Sequence, residues 1–309
     1  SGATKGWTPV SDIVSALEPV APPTQRALFG YGSTSGGKVS MTNLVSSSGV
    51  VAADVTGVGT ARGDLAAAGY GSDKAIFGYG RTGSNLSMTN LVNNSGVVAA
   101  DTTGVGTARW GLGAANYGGD KAIFGYGTTG SNSSLTNLVS SSGVVASDTA
   151  GVGTARYYTA GVSYGEDKAI FGYGYNGGNL SLTNLVSNLG VVSADVTGVG
   201  TARGYLAAAS YGTDKGIFGY GYTGSNLSMT NLVSNTGVVA SDVSGVGTAR
   251  RQLAAAGYGG DKAIFAYGAS SGNQNMSNLV NNSGVVSADV TGVGTAREAT
   301  AAAGYSISA

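Results

Sequence analysis

Histidine and cysteine are both absent from this 309-residue chain, proline occurs four times, and charged residues make up only 10% of it. Without cysteine there are no disulfides and no thiolate metal sites, and nothing follows about redox compartment. Without histidine the chain lacks the most common general base, the usual physiological pH switch and the commonest metal ligand. Together these absences exclude most familiar hydrolase and metalloenzyme designs, so no catalytic residue, metal or cofactor is expected. Sixteen basic residues balance sixteen acidic ones, which argues against a nucleic-acid partner, because phosphate binding needs a surplus of Lys and Arg. No run of about 18 apolar residues occurs, so no membrane span is expected. The opening Ser1-Gly2-Ala3 lacks Met, which fits removal of an initiator or leader.

Glycine is abundant, with 55 residues. High glycine with low charge is one signature of disorder, but here apolar positions recur at a fixed period. Variants of Ile-Phe-Gly-Tyr-Gly place their Phe at Phe29, Phe77, Phe124, Phe171, Phe218 and Phe265. Gly-Val-Gly-Thr-Ala-Arg ends at Arg62, Arg109, Arg156, Arg203, Arg250 and Arg297, at a constant spacing of 47. The one extra residue between Phe29 and Phe77 falls in Ser33 to Lys38, where a loop is expected. Six copies of one unit therefore follow one another.

Within a unit, Leu65 to Tyr70 is followed by a Gly71-Ser72-Asp73 turn, then Lys74 to Tyr79 and a loop from Gly80 to Asn85. Leu86 to Val92 alternates as a half-buried strand does. A longer Val- and Thr-rich segment, 96 to 109, closes the unit, and its Gly104 and Gly106 suggest a bulge. The pattern predicts four short strands per unit, the period of propeller blades. The first strand is made of Ala and Gly, as crowding of six innermost strands around one axis requires. The first copy starts at Arg26 and lacks its own Ala-rich strand, while the chain ends with a spare one, Thr300 to Tyr305. The expected fold is an all-β, six-bladed β-propeller of four-stranded blades over residues 26–309, closed when the C-terminal strand joins the first blade. An open solenoid would instead carry atypical polar caps.

An Arg before a small-residue strand, followed by a hydrophobic strand ending in glycines, resembles the kelch family of propeller repeats. Here those parts are Arg62, Ala66 to Tyr70 and Ile76-Phe77-Gly78-Tyr79-Gly80. The chain departs from kelch repeats in having Gly-Tyr-Gly where they carry a Gly-Gly pair, and in lacking their late-blade Trp. Near-identical tandem units of this kind also resemble those in virion or tail proteins of tailed phages. The resemblance implies the fold more firmly than any role.

Residues 1–25 stand outside the repeat. Ser11 or Asp12 is a suitable cap for a short helix, and Pro19, Pro22 and Pro23 then favour an extended stretch. This segment is either a tail along the ring or an arm that docks on another subunit through Trp7, Ile13 and Leu17.

The aspartates at 54, 101, 148, 195, 242 and 289 lie eight residues before the repeat arginines. On one straight strand such partners would be ~26 Å apart, so any ion pair must cross to another strand or unit. Sixfold repetition suits a structural role. The units differ at the two residues after each arginine and at the residue after each Gly-Tyr-Gly. Strand geometry puts both sets on one side of the ring. They include Trp110, Tyr157, Tyr158, Tyr175, Tyr205 and Tyr222, with Arg81 and Arg251. Flat apolar area with polar tips suits stacking on sugars or filling a protein interface, although unconstrained loops vary too. The expectation is a non-catalytic structural or adhesive surface module of a virion or other extracellular particle. Its partners would be other particle subunits, met through residues 1–25 or a propeller face, or glycans. A secreted carbohydrate-binding lectin is the alternative.

Overall fold

The computed structural model describes residues 25–307. The expected arm, apart from Gln25, lies outside the described residues. Among the described residues there is no helix, and eighteen strands form six antiparallel sheets of three. β1 (Gln25–Thr34) and β2 (Gly37–Val45) begin the first sheet. β3 (Ala66–Tyr70), β4 (Lys74–Gly78) and β5 (Thr89–Val92) form the second, and β6 (Gly113–Tyr117), β7 (Lys121–Gly125) and β8 (Thr136–Val139) the third. The fourth contains β9 (Ala160–Tyr164), β10 (Lys168–Tyr175) and β11 (Asn179–Val186). The fifth contains β12 (Ala207–Tyr211), β13 (Lys215–Tyr222) and β14 (Asn226–Val233), and the sixth β15 (Ala254–Tyr258), β16 (Lys262–Ala266) and β17 (Ser277–Val280). β18 (Ala301–Ser306) then pairs with β1, with Ala303 opposite Leu28 and Ser306 opposite Gln25. The spare C-terminal strand thus completes the first sheet, as its sequence suggested. The arrangement is compatible with a β-propeller.

Where a fourth strand was expected, a segment is held to the third strand at two isolated bridges, and no regular fourth strand is formed among the described residues. In the first unit, Val51 bridges Val45 and Val55 bridges Thr42. Four residue steps on the segment face three on β2, so one residue bulges and the ladder breaks. The Ala52 carbonyl, which a regular ladder would give to a backbone N–H, accepts instead from Asn43 Nδ2 at 2.9 Å.

The core lies between sheets rather than within one. Ile76 and Tyr79 of the second unit pack with Leu112, Ala122 and Phe124 of the third, while Ala75 and Phe77 pack back against Leu28, Tyr31 and Ala303 of the first. Burial on both faces explains why Ala75, Ile76 and Phe77 read as a continuous apolar run. The sixth unit closes on the first through Phe29 and Tyr267, whose rings meet edge to face at 5.3 Å. The first strands β3, β6, β9, β12, β15 and β18 contact one another in that order, and β18 contacts β3. Ala67, Ala208, Ala255 and their equivalents line the narrow cavity of about 70 Å³ between these six strands. A Cβ on Gly161 would come within 2.6 Å of the Ala114 carbonyl, which shows how closely the strands approach.

Two cycles of backbone hydrogen bonds tie the units together. On one side Asp64 N donates to Ala299 O, Gly111 to Asp64, Tyr158 to Gly111, Tyr205 to Tyr158, Gln252 to Tyr205 and Ala299 to Gln252, at 2.7–3.3 Å. That cycle is closed, and all six residues have left-handed backbone with φ between 53° and 68°. On the other side Gly71 donates to Asp120, Gly118 to Asp167, Gly165 to Asp214, Gly212 to Asp261, Gly259 to Gln25 and Ser306 to Asp73.

The repeat arginines have fully buried side chains. Arg62 donates from Nε to the Tyr79 carbonyl at 2.9 Å, from Nη1 to the Thr60 carbonyl at 3.1 Å and from Nη2 to Asn90 Oδ1 at 2.7 Å. Its guanidinium carbon lies 4.4 Å from the centroid of the Tyr31 ring. Tyr31 and Phe77 flank the boundary between the first two units. The Asp within the same repeat is not its partner. Arg62 faces Asp101 of the next unit at 3.8 Å, and Arg297 faces Asp54 at 3.9 Å across the chain ends. Asp101 Oδ2 accepts from Thr60 N and Oγ1, at 2.9 and 2.7 Å, and Oδ1 accepts from Asn90 Nδ2 at 2.9 Å. Gly59, at φ 73°, brings this loop so close that a Cβ would collide with Asp101 Oδ1 and Asn90 Nδ2.

Replacing Arg156 with Leu leaves Asn184 Oδ1 and the Tyr173 and Thr154 carbonyls without their donor. Breaking such a buried charged cluster costs about 3–5 kcal/mol, readable by urea unfolding. Arg156→Lys should recover only part, because an ammonium cannot reproduce the planar fork. A loss below ~1 kcal/mol for Arg156→Leu, within the range of an ordinary surface ion pair, would show the clamp to be dispensable.

Burial works against ionisation of Asp101, but hydrogen bonds from Thr60 and Asn90, with Arg62 nearby, outweigh it and hold its carboxyl below the ordinary value. The other five aspartates of the series are lowered in the same way. A depressed folded pKa stabilises the fold above the ordinary aspartate value of about 3.9 and loses that contribution as pH falls through the folded value. Thermal stability should therefore hold from neutral pH to about 4 and decline below it. Asp101→Asn should melt below the unmodified protein at pH 7, with the gap narrowing toward pH 2. A gap independent of pH would contradict this linkage.

Candidate recognition face

The two variable sets meet in the structure as hydrogen-bonded pairs. Gly63 pairs with Arg81, Trp110 with Thr128, Tyr157 with Tyr175, Gly204 with Tyr222, Arg251 with Ala269, and Glu298 with Ser33. In each, the two backbones exchange N–H···O bonds of 2.8–3.1 Å. The bulge at Gly-Tyr-Gly makes this pairing possible. It shifts the register between the second and third strands, and turns the chain back toward the start of the first strand. The Tyr of each bulge has φ of 61–65°, a strained conformation that costs on the order of 1–3 kcal/mol. Burial of its ring on the guanidinium, and an O–H bond such as Tyr31 Oη to the Val58 carbonyl at 3.1 Å, compensate.

All eight side chains singled out from the sequence fall into one contiguous array. The Arg81 guanidinium lies 3.6 Å from the Trp110 ring centroid. Trp110 meets Tyr157 and Tyr158 edge-on, each at 5.4 Å. Tyr157 continues to Tyr175 at 5.7 Å. Tyr158 stacks on Tyr205 at 3.5 Å, Tyr205 meets Tyr222 at 6.2 Å, and Arg251 lies 4.8 Å from the Tyr222 centroid. Each of the eight is half-buried, so the array is both packed and accessible.

Three contributors were not singled out. Asp64 is buried and accepts from Arg81 Nε at 2.8 Å and from Gln252 Nε2 at 3.2 Å. Asn226 Oδ1 accepts a long 3.5 Å bond from Arg251. Asp64 and Gln252 sit within the variable pairs, so their position was legible; their link, across 188 residues, was not. Burial, with the negative Asp64 beside it, keeps the Tyr158 phenol protonated well above its ordinary range. A shallow cleft of about 260 Å³ opens between Tyr158, Tyr205, Tyr222, Arg251 and Gln252.

The opposite side is more uniform. Its turns pair Lys74 with Asp73, Lys121 with Asp120, Lys168 with Asp167, Lys215 with Asp214 and Lys262 with Asp261 at 2.5–3.2 Å. They surround a polar vestibule of about 250 Å³ lined by Asn116, Ser163, Glu166 and Ser210 among others. Among the described residues, no three His, Cys, Asp or Glu gather as metal ligands, and no helix is long and apolar enough to cross a membrane. Comparison with known protein families and with curated proteins finds no match for this chain.

Arg81→Ala removes the cation from Trp110 and leaves buried Asp64 with Gln252 as its remaining side-chain donor among the described residues. The expected loss is about 1–3 kcal/mol, with a change in tryptophan emission. An unchanged emission spectrum would mean that the Arg81–Trp110 contact is not populated in solution.

Proposed function

We propose that the chain is a non-catalytic recognition module built as a six-bladed, kelch-like β-propeller. In this reading the bridged fourth segments complete four-stranded blades and β18 fastens the ring. The module presents its varied face as a structural or adhesive surface of a virion or other extracellular particle. The observation that carries the proposal is the accessible aromatic array on that face, set against the uniform Lys–Asp turns on the other. Half-buried Trp and Tyr supply large contact area at small entropic cost. Scaffold residues that repeat six times are engaged within the fold, as Asp101 is by Thr60 and Asn90, whereas the array differs from unit to unit. The style of the tandem units, similar to that of tailed-phage surface proteins, supports the setting.

The cleft beside Tyr222 favours a second reading, a secreted carbohydrate-binding lectin. Two measurements separate the readings. A particle component sediments with its particle in stoichiometric amount, whereas a free lectin stays in solution. For either, Trp110→Ala/Tyr157→Ala should abolish binding of the purified chain to intact cell or particle surfaces while leaving it folded, with a lower but still cooperative thermal melt, because the rings also pack on one another. Undiminished surface binding by that variant would remove the varied face from the proposal.

A further inference from the structure

We infer that the cleft between Tyr158, Tyr205, Tyr222, Arg251 and Gln252 is a saccharide site selective for sugars that carry a carboxylate, with Arg251 as the group that receives it. The inference rests on the reading of the varied face as a recognition surface and specifies its ligand.

The two arginines at the ends of the aromatic array are not equivalent. Arg81 is neutralised, since its Nε is bonded to the buried Asp64 carboxylate at 2.8 Å. Arg251 has no carboxylate within ion-pair distance among the described residues. Its one side-chain hydrogen bond there is the 3.5 Å contact to the neutral Asn226 amide, and it rests on the Tyr222 ring. Stacking holds the guanidinium in place without consuming its N–H groups, leaving a planar fork of donors matched to a carboxylate. The chain has equal numbers of acidic and basic residues, and the recurring arginines and most lysines are paired with aspartates. Arg26 and Lys38 likewise have no carboxylate within ion-pair distance among the described residues, and what sets Arg251 apart is that it lines the cleft beside the stacked tyrosines.

The rest of the cleft fits a sugar ring. Tyr158 and Tyr205 stack at 28° between planes, and Tyr222 stands at 86° to Tyr205, so aromatic surface meets the space from two directions. Tyrosines and Gln252 add polar atoms that suit hydroxyl groups. The cleft volume of about 260 Å³ equals that of roughly eight or nine water molecules at ~30 Å³ each, room for one monosaccharide. A site this shallow would take a terminal or single residue of a larger glycan, with the neighbouring Trp110 and Tyr157 available to the next.

The test is calorimetric titration of the full chain with oligogalacturonate and sialyllactose, beside the carboxyl methyl ester of each. These pairs differ chiefly in the carboxylate. At least one carboxylated sugar should bind about tenfold or more tightly than its neutral counterpart, and more weakly as salt is raised. Arg251→Gln should bring the two to the same affinity, and Arg251→Lys should retain part of the difference. Arg251 is half-buried with one long hydrogen bond, so the melting temperature of both variants should stay near the parent's, which separates loss of a ligand group from loss of the fold. Equal binding of neutral and carboxylated sugars, or an unaffected Arg251→Gln variant, would overturn the inference and leave the face as a recognition surface. So would failure to bind any of the four sugars if Trp110→Ala/Tyr157→Ala still abolished surface binding. If that double variant kept its surface binding, the reading of the face would fall and the inference with it.

Discussion

A guanidinium buried at each boundary between units is the interaction on which the rest of the structure depends. Taking an arginine out of water is unfavourable unless each of its nitrogens finds an acceptor and its charge is answered nearby. Here both conditions are met by groups from different units. Arg62 reaches the Tyr79 carbonyl and Asn90 in the unit ahead, lies against Tyr31 of the unit behind, and has Asp101 at the edge of the cluster. A unit folded alone would leave its own Asn, Tyr carbonyl and Asp without the arginine. Cooperativity between neighbours follows from that polar arrangement, in addition to the apolar contacts between sheets.

The same logic applied to the sixth boundary makes closure a local event. Arg297 meets Tyr31 O, Asn43 and Asp54 with nearly the geometry of Arg62 and its partners, although up to 266 residues separate them. Asp54 in turn accepts from Thr295 N and Oγ1. An open array has two terminal units with one neighbour each, which fray first. Here the clamp, the β18–β1 pairing and both hydrogen-bond cycles meet at the same seam, so the first and sixth units are held as the others are.

Much of this was legible in the sequence because repetition converts spacing into geometry. The constant 47-residue interval of the arginines gave the unit, and the Ala-rich strand missing at one end and spare at the other gave the β18–β1 pairing. The eight-residue offset from Asp54 to Arg62 ruled out pairing on one strand, and the structure supplies the crossing: each Arg faces the Asp of the following unit. The fourth segment was less legible. Val50 to Val55 has β-strand composition, but whether it pairs regularly depends on Asn43, whose amide takes the Ala52 carbonyl from the ladder. Period and propensity do not reveal that competition. The tyrosine of Gly-Tyr-Gly is similar. Glycines on both sides signal a bulge, but the tolerance of a left-handed Tyr depends on a guanidinium far along the chain stacking on it, as Arg62 does on Tyr31 and Arg109 on Tyr79.

The varied face is a consequence of how completely the repeated parts are engaged. Substituting within the Arg–Asn–Asp–Thr cluster disturbs two units at once, and substituting in β3 or β4 disturbs a sheet packed on both sides. The two residues after each arginine, and their partner after Gly-Tyr-Gly, are tied to the frame chiefly through their backbones. Their side chains can therefore change without touching the frame, and six such pairs lie side by side. Aromatics fill three adjacent units, from Trp110 to Tyr222, and arginines flank them at 81 and 251. Free variation would scatter residue types among the six units. A run of rings in mutual contact, with one flanking charge neutralised by Asp64 and the other left without a carboxylate partner, is an asymmetry that the sixfold frame does not require.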